Sequence, residues 1–235
     1  MSLRTAFDTP DGKRAHNRAL FATIADRYDL ITKLLSYGQD ARWKRTLIAR
    51  ARLQPGERVL DLACGTGDLA FAAAAQGGRV VGLDLTHRML QLAARKSAAA
   101  RLVTGDMTHL PFGPRSFDVV TTGYGLRNVP DLAAAIDEIA RVLRPGGRLL
   151  SLDFNRPEPP LVRGAYLAYL TVVGAGLGWL LHRDPDTYRY IPASIRRYPG
   201  AAAVAELLTA RGFTAVTVVP LLFGLMTLHV GQRAR

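Results

Sequence analysis

Apolar side chains recur at helical spacing near the beginning of the chain. Between residues 19 and 52 they return every three or four positions, which predicts helices. Gly38 interrupts the pattern, and Asp40 is placed to cap a second helix. We therefore expect residues 17–53 to form a helical cap, whereas residues 1–16 are polar and are expected to be flexible.

After residue 57, short apolar runs alternate with helical stretches. A run without polar alternation is typical of a strand that is buried on both faces of a sheet. The predicted strands cover residues 58–63, 79–84, 101–106, 117–122 and 148–154. Helices are expected between most of these runs, for example over residues 131–143. This alternation indicates an α/β domain with a mostly parallel sheet.

The last third of the chain departs from this alternation. Residues 157–198 are predicted to form an insertion of helix and loop, and residues 199–211 a helix that ends at Gly212. Two further strands, 213–219 and 225–232, are too close in sequence for a crossover helix to join them. They should therefore pair antiparallel. The expected sheet has seven strands and ends in an antiparallel hairpin.

A glycine-rich loop, Gly65-Thr66-Gly67-Asp68-Leu69-Ala70, follows the first predicted strand. Small residues let the backbone approach a ligand, and the helix N-terminus beyond the loop offers free N–H groups to an anion. Asp84 ends the next strand, where a carboxylate can accept hydrogen bonds from both hydroxyls of a ribose. We expect Gly65, Thr66, Gly67 and Asp84 to bind a nucleoside cofactor. Nicotinamide enzymes share this pattern, so it leaves the cofactor open.

Further residues at strand ends separate the two classes of cofactor. Asp61 precedes the loop and can anchor it or face a cationic group of the cofactor. Asp106 and Met107 follow the third strand, and Asp106 is placed to accept a hydrogen bond from an adenine amino group. Gly123 lies at the end of the fourth strand, which reaches over the cofactor. Together these elements favour the class I S-adenosylmethionine-dependent methyltransferase fold, which is Rossmann-like, over a nicotinamide oxidoreductase.

Four segments outside the glycine loop resemble one known family, and the likeness extends over residues 21–233. The segments are 28–43, 125–129, 141–154 and 188–199. The sequence resembles the C-methyltransferases of menaquinone and ubiquinone biosynthesis. The resemblance implies a single methyltransferase domain over residues 17–235, with residues 157–198 on the substrate side. It implies methyl transfer from S-adenosylmethionine to a ring carbon of a prenylated quinol, demethylmenaquinol above all.

The sequence departs from the family pattern at four positions. Thr32 stands where Asn is usual, and Asp40 stands where His is usual. Asp153 replaces a usual Glu, and Asn155 replaces a usual Ser. These exchanges leave the methyltransferase prediction intact, but they leave the quinone open. A benzoquinol precursor of ubiquinone, or another apolar acceptor, stays an alternative.

The resemblance also implies which side chains act on the quinol. Arg127 follows the fourth strand, where it could hold a phenolate or position a water, and an ion pair with a nearby Asp is its alternative role. Tyr28 is the second candidate catalytic residue, with a core position on an amphipathic helix as the alternative. Asn128, Tyr190 and Arg197 are candidate substrate residues.

The charge balance bears on partners of other kinds. The chain has 31 Lys and Arg against 19 Asp and Glu, so its net charge of +12 attracts nucleic acid or anionic lipid. It lacks the basic runs and interleaved aromatics of nucleic-acid binders, so we expect no nucleic acid partner. An RNA-directed methyltransferase, or a cofactor-binding protein without catalysis, stays an alternative. One Cys and five scattered His residues predict no metal site.

The longest apolar run covers residues 166–181. As a helix it would span about 24 Å, which is shorter than the roughly 30 Å core of a bilayer. A single-pass membrane protein is therefore not expected. The run fits a channel for a prenyl tail or a helix that lies at the membrane interface. We expect a cytoplasmic protein in transient contact with the anionic inner face of the membrane, and a homodimer is a further option.

Overall fold

The N-terminal region is helical from residue 10. A computed structural model describes residues 9–235. Helix α1 spans Pro10–Ile24, and Thr9 caps it by accepting a hydrogen bond from the Gly12 amide at 3.1 Å. A Thr cap followed by Pro in the first turn starts a helix even in a polar segment. Residues 10–16 of the segment expected to be flexible therefore belong to helix α1, and residues 1–8 lie outside the described part of the chain.

Two more helices follow in the region predicted to be helical. Helix α2 spans Tyr28–Leu35 after a single 3₁₀ turn at Ala25–Arg27, and helix α3 spans Asp40–Ala51. The chain turns between α2 and α3 at Gly38, where φ is +74°. The left-handed region suits glycine because it has no Cβ. The break predicted at Gly38 is correct.

Within residues 9–235, seven strands form one sheet in the order β3-β2-β1-β4-β5-β7-β6. Strands β1 to β5 pair parallel with their neighbours, and β7 lies antiparallel between β5 and β6. Their bounds in chain order are Arg58–Leu62, Arg79–Asp84, Arg101–Thr104, Phe117–Gly123, Leu143–Phe154, Phe213–Leu221 and Met226–Arg233. The predicted α/β fold with a C-terminal antiparallel hairpin is confirmed.

Helices cover both faces of this sheet. Those after α3 span Asp68–Ala75 (α4), His87–Lys96 (α5), Leu132–Val142 (α6), Pro160–His182 (α7), Tyr190–Arg197 (α8) and Ala201–Ala210 (α9). Successive residues of a strand point to opposite faces. Leu60 of β1 accordingly packs with α6 and α9, whereas its neighbour Val59 packs with α3 and α4. The two apolar layers fix the strand ends that carry the site.

Helix α7 is longer than the apolar run that predicted it. It has 23 residues, about 35 Å, and by length and composition it could cross a membrane. The prediction that this segment is too short to span a bilayer is therefore wrong, because the helix begins six residues before the apolar run 166–181. Two glycines of α7 pack closely against the segment that follows the helix. A Cβ at Gly174 would lie 3.3 Å from the Cβ of Tyr188, and one at Gly178 only 2.4 Å from the Asp184 oxygen.

A third apolar cluster joins the helices that precede and follow the sheet. It contains Ile24 of α1, Ile31 of α2, Leu170 of α7 and Ile195 of α8. Phe154, at the carboxyl end of β5, packs against the cluster. The helices of residues 17–53 and 157–198 therefore meet beside the carboxyl ends of the parallel strands, which is where ligands bind in open α/β sheets.

Candidate active site

The glycine loop connects β1 to α4 in a conformation that requires glycine. Gly65 and Gly67 have φ values of +54° and +91°. A Cβ at Gly67 would lie 2.4 Å from the ring of Phe71, so a side chain there would clash. A Cβ at Gly65 would meet only a ring carbon of Tyr28 at 3.8 Å, which leaves the face of the loop open beside Tyr28. The N–H groups that begin α4 follow directly after this loop.

Asp84 ties the end of β2 to the glycine loop. Its Oδ2 accepts a hydrogen bond from the Gly65 amide at 2.9 Å, and its Oδ1 accepts one from the Thr86 amide at 2.7 Å. Burial raises the pKa of this carboxyl, although both amides oppose the shift. Each carboxylate oxygen can accept a second hydrogen bond. Asp84 therefore keeps acceptor capacity for the hydroxyls of a ribose.

Asp61, near the end of β1, is a buried carboxyl with one oxygen unpaired. Its Oδ1 accepts a hydrogen bond from Thr121 at 2.8 Å. Its Oδ2 is buried and has no hydrogen-bond partner among residues 9–235. Burial raises the pKa of Asp61 from 3.8 to about 7, against the lowering effects of Thr121 and Lys44. A cationic group of a ligand would complete this site.

Asp106 is already held by several donors. Its Oδ1 accepts hydrogen bonds from the amide and hydroxyl of Thr108, both at 2.8 Å. Its Oδ2 accepts one from Arg14 of α1 at 2.5 Å. Burial raises the pKa of Asp106, but the hydrogen bonds from Thr108 and Arg14 outweigh it and lower the pKa. Oδ2 keeps one acceptor position for an amino group.

Two small cavities open along these residues. The strand-end cavity has about 90 Å³ and is lined by Asp84, Asp106, Met107 and Gly123, with Arg14 of α1 beside them. The loop cavity, of about 20 Å³, is lined by Asp61, Gly65, Thr66 and Gly123 among others. Of the residues predicted to bind a cofactor, Gly67 lines neither cavity. It shapes the loop instead.

A much larger apolar cavity adjoins them. It has about 470 Å³ and is lined by side chains of α1, α2, α7 and α8 and by the ends of β4, β5 and β7. Tyr28 and Tyr124 line this apolar cavity and both smaller ones. The two tyrosines therefore form the wall at which a polar ligand and an apolar ligand would meet. Burial raises the pKa of Tyr28 far above its ordinary value, so its hydroxyl stays protonated.

Arg127 lines the apolar cavity as one half of a buried ion pair. Its Nε lies 3.2 Å from Asp153 Oδ1, and its amide donates to Asp153 Oδ2 at 2.9 Å. Its guanidinium also donates to Ser194 and lies over the rings of Phe154 and Tyr190, at 5.0 and 5.9 Å from their centroids. Burial raises the pKa of Asp153, and the charge of Arg127 opposes that shift. The ion pair named as the alternative role of Arg127 is present, and it holds the cation at the cavity wall.

The candidate substrate residues separate in the structure. Asn128 lines the apolar and strand-end cavities, and its amide donates to the Tyr124 carbonyl at 2.9 Å. Tyr190 is buried and lines the apolar cavity. Arg197 is exposed in the last turn of α8 and lines none of the three cavities. Arg197 therefore does not join Asn128 and Tyr190 at the cavity walls, and its role toward the substrate stays a prediction.

Some residues at the site were not predicted from the sequence. Lys44 of α3 lines the loop cavity and pairs with Asp40 at 2.6 Å and Asp68 at 2.9 Å. Asp40 does not cap α3 through its side chain, because its carboxylate accepts a hydrogen bond from Tyr124 at 2.6 Å and pairs with Lys44. Asp40 and Lys44 are one helical turn apart, but Tyr124 and Asp40 are 84 residues apart and Lys44 and Asp68 are 24 apart, so local spacing could not reveal those two contacts. The positive φ of Tyr124, +63°, also has no sequence signature at a non-glycine residue.

Residues 10–233 match the model of the ubiE/COQ5 methyltransferase family. The chain belongs to this family. A protein from Thermus thermophilus named demethylmenaquinone methyltransferase is 42% identical over 220 residues, which cover 91% of this chain and 100% of the relative. A protein of the same name from Symbiobacterium thermophilum is 33% identical over 241 residues, which cover 97% of this chain and 96% of the relative. The resemblance found in the sequence is confirmed.

Solved structures share the fold of this family member. A SAM-dependent methyltransferase from Thermotoga maritima has a TM-score of 0.67 at 17% identity, covering 92% of this chain and 99% of that one. Haemonchus contortus phosphoethanolamine N-methyltransferase 2, in complex with S-adenosyl-L-methionine, has a TM-score of 0.62 at 17% identity and covers 92% of this chain and 60% of that one. The chain is an S-adenosylmethionine-dependent methyltransferase, as the sequence predicted.

The residues present fit S-adenosylmethionine. The buried, unpaired Oδ2 of Asp61 suits the cationic amino group of its methionine part. The open face of Gly65, which lies just before the N-terminus of α4, suits its carboxylate. Asp84 and Asp106 retain acceptor positions for a ribose and an adenine amino group. Within residues 9–235, no group of three or more His, Cys, Asp or Glu side chains is placed to hold a metal ion.

Proposed function

We propose that this methyltransferase converts demethylmenaquinol to menaquinol by methylating a ring carbon. The observation that carries the proposal is the junction of the large apolar cavity with the two polar cavities at Tyr28 and Tyr124. A prenylated quinol in the apolar cavity and a methyl donor in the polar ones would meet there in attack geometry. The names of relatives at 42% and 33% identity support a naphthoquinol as the acceptor.

The cofactor is held by residues of the strand ends in this proposal. Asp84 binds the ribose, Asp106 the adenine amino group and Asp61 the amino group of the methionine part. Gly65, Thr66 and Gly67 shape the loop that approaches the cofactor, while Met107 and Gly123 form apolar wall. When bound, S-adenosylmethionine supplies a methyl group on a sulfonium, which is already a good electrophile. Proximity and orientation therefore contribute most of the rate enhancement.

Arg127 and Tyr28 act on the quinol oxygen in this proposal. The ring carbon becomes nucleophilic when the neighbouring hydroxyl loses its proton. The buried guanidinium of Arg127, held by Asp153, stabilises the resulting phenolate. Tyr28, whose hydroxyl stays protonated, can donate a hydrogen bond to the same oxygen. Asn128 and Tyr190 complete the wall around the ring.

The insertion at residues 157–198 supplies the path for the prenyl tail. Helix α7 lines the apolar cavity through Tyr166, Tyr169 and Leu170. Four exposed apolar side chains lie on or next to residues that line this cavity, and we call them the apolar rim: Tyr37, Leu161, Val162 and Phe223. Tyr37 and Val162 line the cavity, whereas Leu161 and Phe223 are chain neighbours of the lining residues Val162 and Leu222. Phe223 and Leu161 are 103% and 88% exposed. The net charge of +12 would draw such a rim to an anionic bilayer, from which the quinol can enter directly.

A transfer assay with radiolabelled S-adenosylmethionine tests the proposal. The acceptors are a short-chain demethylmenaquinol, a 2-methoxy-6-prenyl-benzoquinol and bulk RNA, with the quinols supplied reduced in detergent. Label in the menaquinol fraction, exceeding that in the other two, is the expected result. Label in RNA, or in no acceptor although the cofactor binds, would contradict the proposal. Light scattering on the same preparation tests the homodimer that the sequence left as an option.

A further inference from the structure

A second set of ionisable side chains lies beside the junction of the cavities. Tyr124 donates a hydrogen bond from Oη to Asp40 Oδ1 at 2.6 Å. The other oxygen of Asp40 pairs with Lys44 at 2.6 Å, and Lys44 also contacts Asp68 at 2.9 Å. Tyr124 and Asp40 are buried, whereas the side chain of Asp68 is 42% exposed. A chain of polar contacts therefore leads from the cavity wall to the surface.

The sheet fixes the position of Tyr124. It follows β4 directly, and its amide donates to the Leu152 carbonyl of β5 at 2.7 Å. Its ring packs against Phe154 with centroids 5.6 Å apart. Because its single hydroxyl proton is directed at Asp40, the lone pairs of its oxygen remain available as acceptors. A hydroxyl in this state can receive a proton from one side while passing its own to the other.

The proposed methylation needs a group that accepts the quinol proton. Arg127 has no acceptor atom, because its guanidinium stays protonated in proteins and here pairs with Asp153. Tyr28 stays protonated and serves as a donor. Asp153 accepts hydrogen bonds from the Arg127 amide and Nε and from the Phe154 amide. Tyr124, backed by the carboxylate of Asp40, has the acceptor that these groups lack.

We propose that Tyr124 and Asp40 form a relay that removes the hydroxyl proton of the quinol. Tyr124 is the catalytic residue that touches the substrate, and Asp40 is the positioning residue that acts through it. The proposal rests on the proposed function, since it assigns the proton acceptor of that reaction.

The atoms balance in three steps. The quinol O–H bond breaks, its proton moves to the Tyr124 oxygen, and the proton of Tyr124 moves to the Asp40 carboxylate. The ring carbon then bonds the methyl carbon, while the sulfur keeps the electron pair of the broken S–C bond and becomes a neutral thioether. Finally, the methylated carbon loses its hydrogen as a proton to water, and the proton on Asp40 returns through Tyr124 to the oxygen. One proton is released per methyl transferred.

Charged groups on several elements set the pH behaviour of this relay. Lys44 of α3 faces Asp40 and its ammonium lies 5.9 Å from the centroid of the Tyr124 ring. Tyr28 of α2, which stays neutral, and Asp153 of β5, which acts by its charge, are further titratable neighbours of Tyr124, and the charge of Asp68 of α4 acts on Lys44. Burial, together with Asp40, raises the pKa of Tyr124 well above its ordinary value. Tyr124 therefore passes protons on and does not accumulate as a phenolate.

Variants at both positions test the relay. Tyr124→Phe and Asp40→Asn remove the transferable proton and its acceptor, and each should lower kcat by about 100-fold or more. KM for the quinol and the affinity for S-adenosylmethionine should change by less than about threefold. Asp40→His should recover most of kcat, with the acid limb of the pH profile moved up, because imidazole ionises about 2–3 units above a carboxylate. Trp43 lines the apolar cavity, so its fluorescence reports quinol binding separately from turnover.

The outcomes separate the relay from the proposed function. Wild-type kcat and an unchanged acid limb in Asp40→Asn and Tyr124→Phe would overturn the relay, even while the wild-type chain methylates the quinol. A wild-type chain that neither binds nor methylates the quinol would overturn the proposed function and the relay with it. Loss of activity in all three variants, Asp40→His included, together with lost quinol binding would make the pair structural and would also overturn the relay. Should Asp40→Asn fail to fold, Tyr124→Phe and Asp40→His still decide the question.

Discussion

The cofactor side of the site and the quinol side are built from different contacts. On the cofactor side, buried carboxylates stand at strand ends, and backbone amides fix two of them, as for Asp84 with Gly65 and Thr86. On the quinol side, helices supply an apolar surface around one charged group, Arg127, which a buried partner holds in place. Directed hydrogen bonds define a polar ligand atom by atom, whereas apolar walls define shape and depth.

This difference separates the part of the site that follows from the shared fold from the part that depends on the additional helices of this chain. The cofactor side depends on strand ends and a tight loop, so it follows from the fold itself. The quinol side depends on residues 17–53 and 157–198, which lie outside the alternating strands and helices. Structures at 17% identity share the sheet with this chain. We therefore expect acceptor specificity to depend on the residues that line the apolar cavity.

The largest effect is expected from breaking the ion pair on the quinol side. Arg127→Met leaves Asp153 buried without its partner, which should cost about 3–5 kcal/mol of stability. The double variant Arg127→Met/Asp153→Leu replaces the pair with apolar groups and should recover most of that stability. Urea unfolding measures the first effect, and the transfer assay should show the double variant folded and still inactive. An active double variant would remove Arg127 from the mechanism.

Asp84→Ala is the matching test on the cofactor side. It removes the acceptor of two amides and of the proposed ribose contact. Loss of hydrogen bonds to a charged group costs about 1.5–3 kcal/mol, so affinity for S-adenosylmethionine should fall about 10- to 100-fold. Calorimetric titration measures the affinity for S-adenosylmethionine. Fluorescence titration with the quinol should show an unchanged dissociation constant for the quinol. Equal loss of both ligands would mean that the two sides are not independent.

Asp61 makes the cofactor side sensitive to pH. Its pKa is raised to about 7 in the folded chain from an ordinary value of 3.8, so the folded state loses stability as pH rises from about 4 to 7. The Asp61→Asn variant has no carboxyl to ionise, so it does not lose stability over this pH range. It should melt several degrees higher than the wild type above pH 7, since about 1 kcal/mol shifts Tm by about 2–4 °C in a chain of this size.

The same carboxylate sets the pH dependence of cofactor binding. Affinity of the wild type for S-adenosylmethionine should fall about tenfold for each unit of pH below 7, because Asp61 must ionise to face a cation. Asp61→Asn should bind weakly at every pH. Calorimetry at pH 6 and pH 8 compares the two proteins. A wild-type affinity that is flat over this interval would mean that Asp61 anchors the loop and does not meet the cofactor.

The smallest effect is expected at the apolar rim. Phe223→Ser changes a fully exposed side chain, so stability should stay within about 0.5 kcal/mol. Binding to vesicles that contain phosphatidylglycerol should weaken a few-fold. Leu180→Ser, 68% exposed near the far end of α7, is the matched control and should bind as the wild type does. Equal weakening in both would place the whole of α7, and not the rim, against the bilayer.

The sequence predicted the fold well where burial left a local signature. Strands β1 and β2 lie within one residue of their predicted bounds, because buried strands are continuous apolar runs. Strand β5 starts at Leu143, five residues earlier than predicted, because Leu143 pairs with Phe117 before a register shift brings Arg148 opposite Val119. The first part of helix α1, residues 10–16, was missed because its polar sequence lacks a clear apolar stripe, and only Thr9 and Pro10 mark its start.

The site was predictable to the extent that strand ends define it. Asp61, Asp84 and Asp106 could be placed from sequence because each lies at or near the end of a predicted strand. The bond between Tyr124 and Asp40 spans 84 residues, so it depends on how α3 packs on the sheet. The exposure of Arg197 has the same origin, since the packing of α8 decides which of its side chains are buried. Tertiary packing, and not local pattern, fixes the quinol side.

A crystal structure with S-adenosylhomocysteine and a short-chain menaquinol bound tests the central claim most directly. We expect the thioether sulfur to lie beside Gly65 and Tyr28. The naphthalene ring should lie in the apolar cavity against Tyr124 and Arg127, with its new methyl group facing the sulfur. A quinol bound elsewhere on the chain, or a ring separated from the sulfur by the wall of Tyr28 and Tyr124, would contradict it.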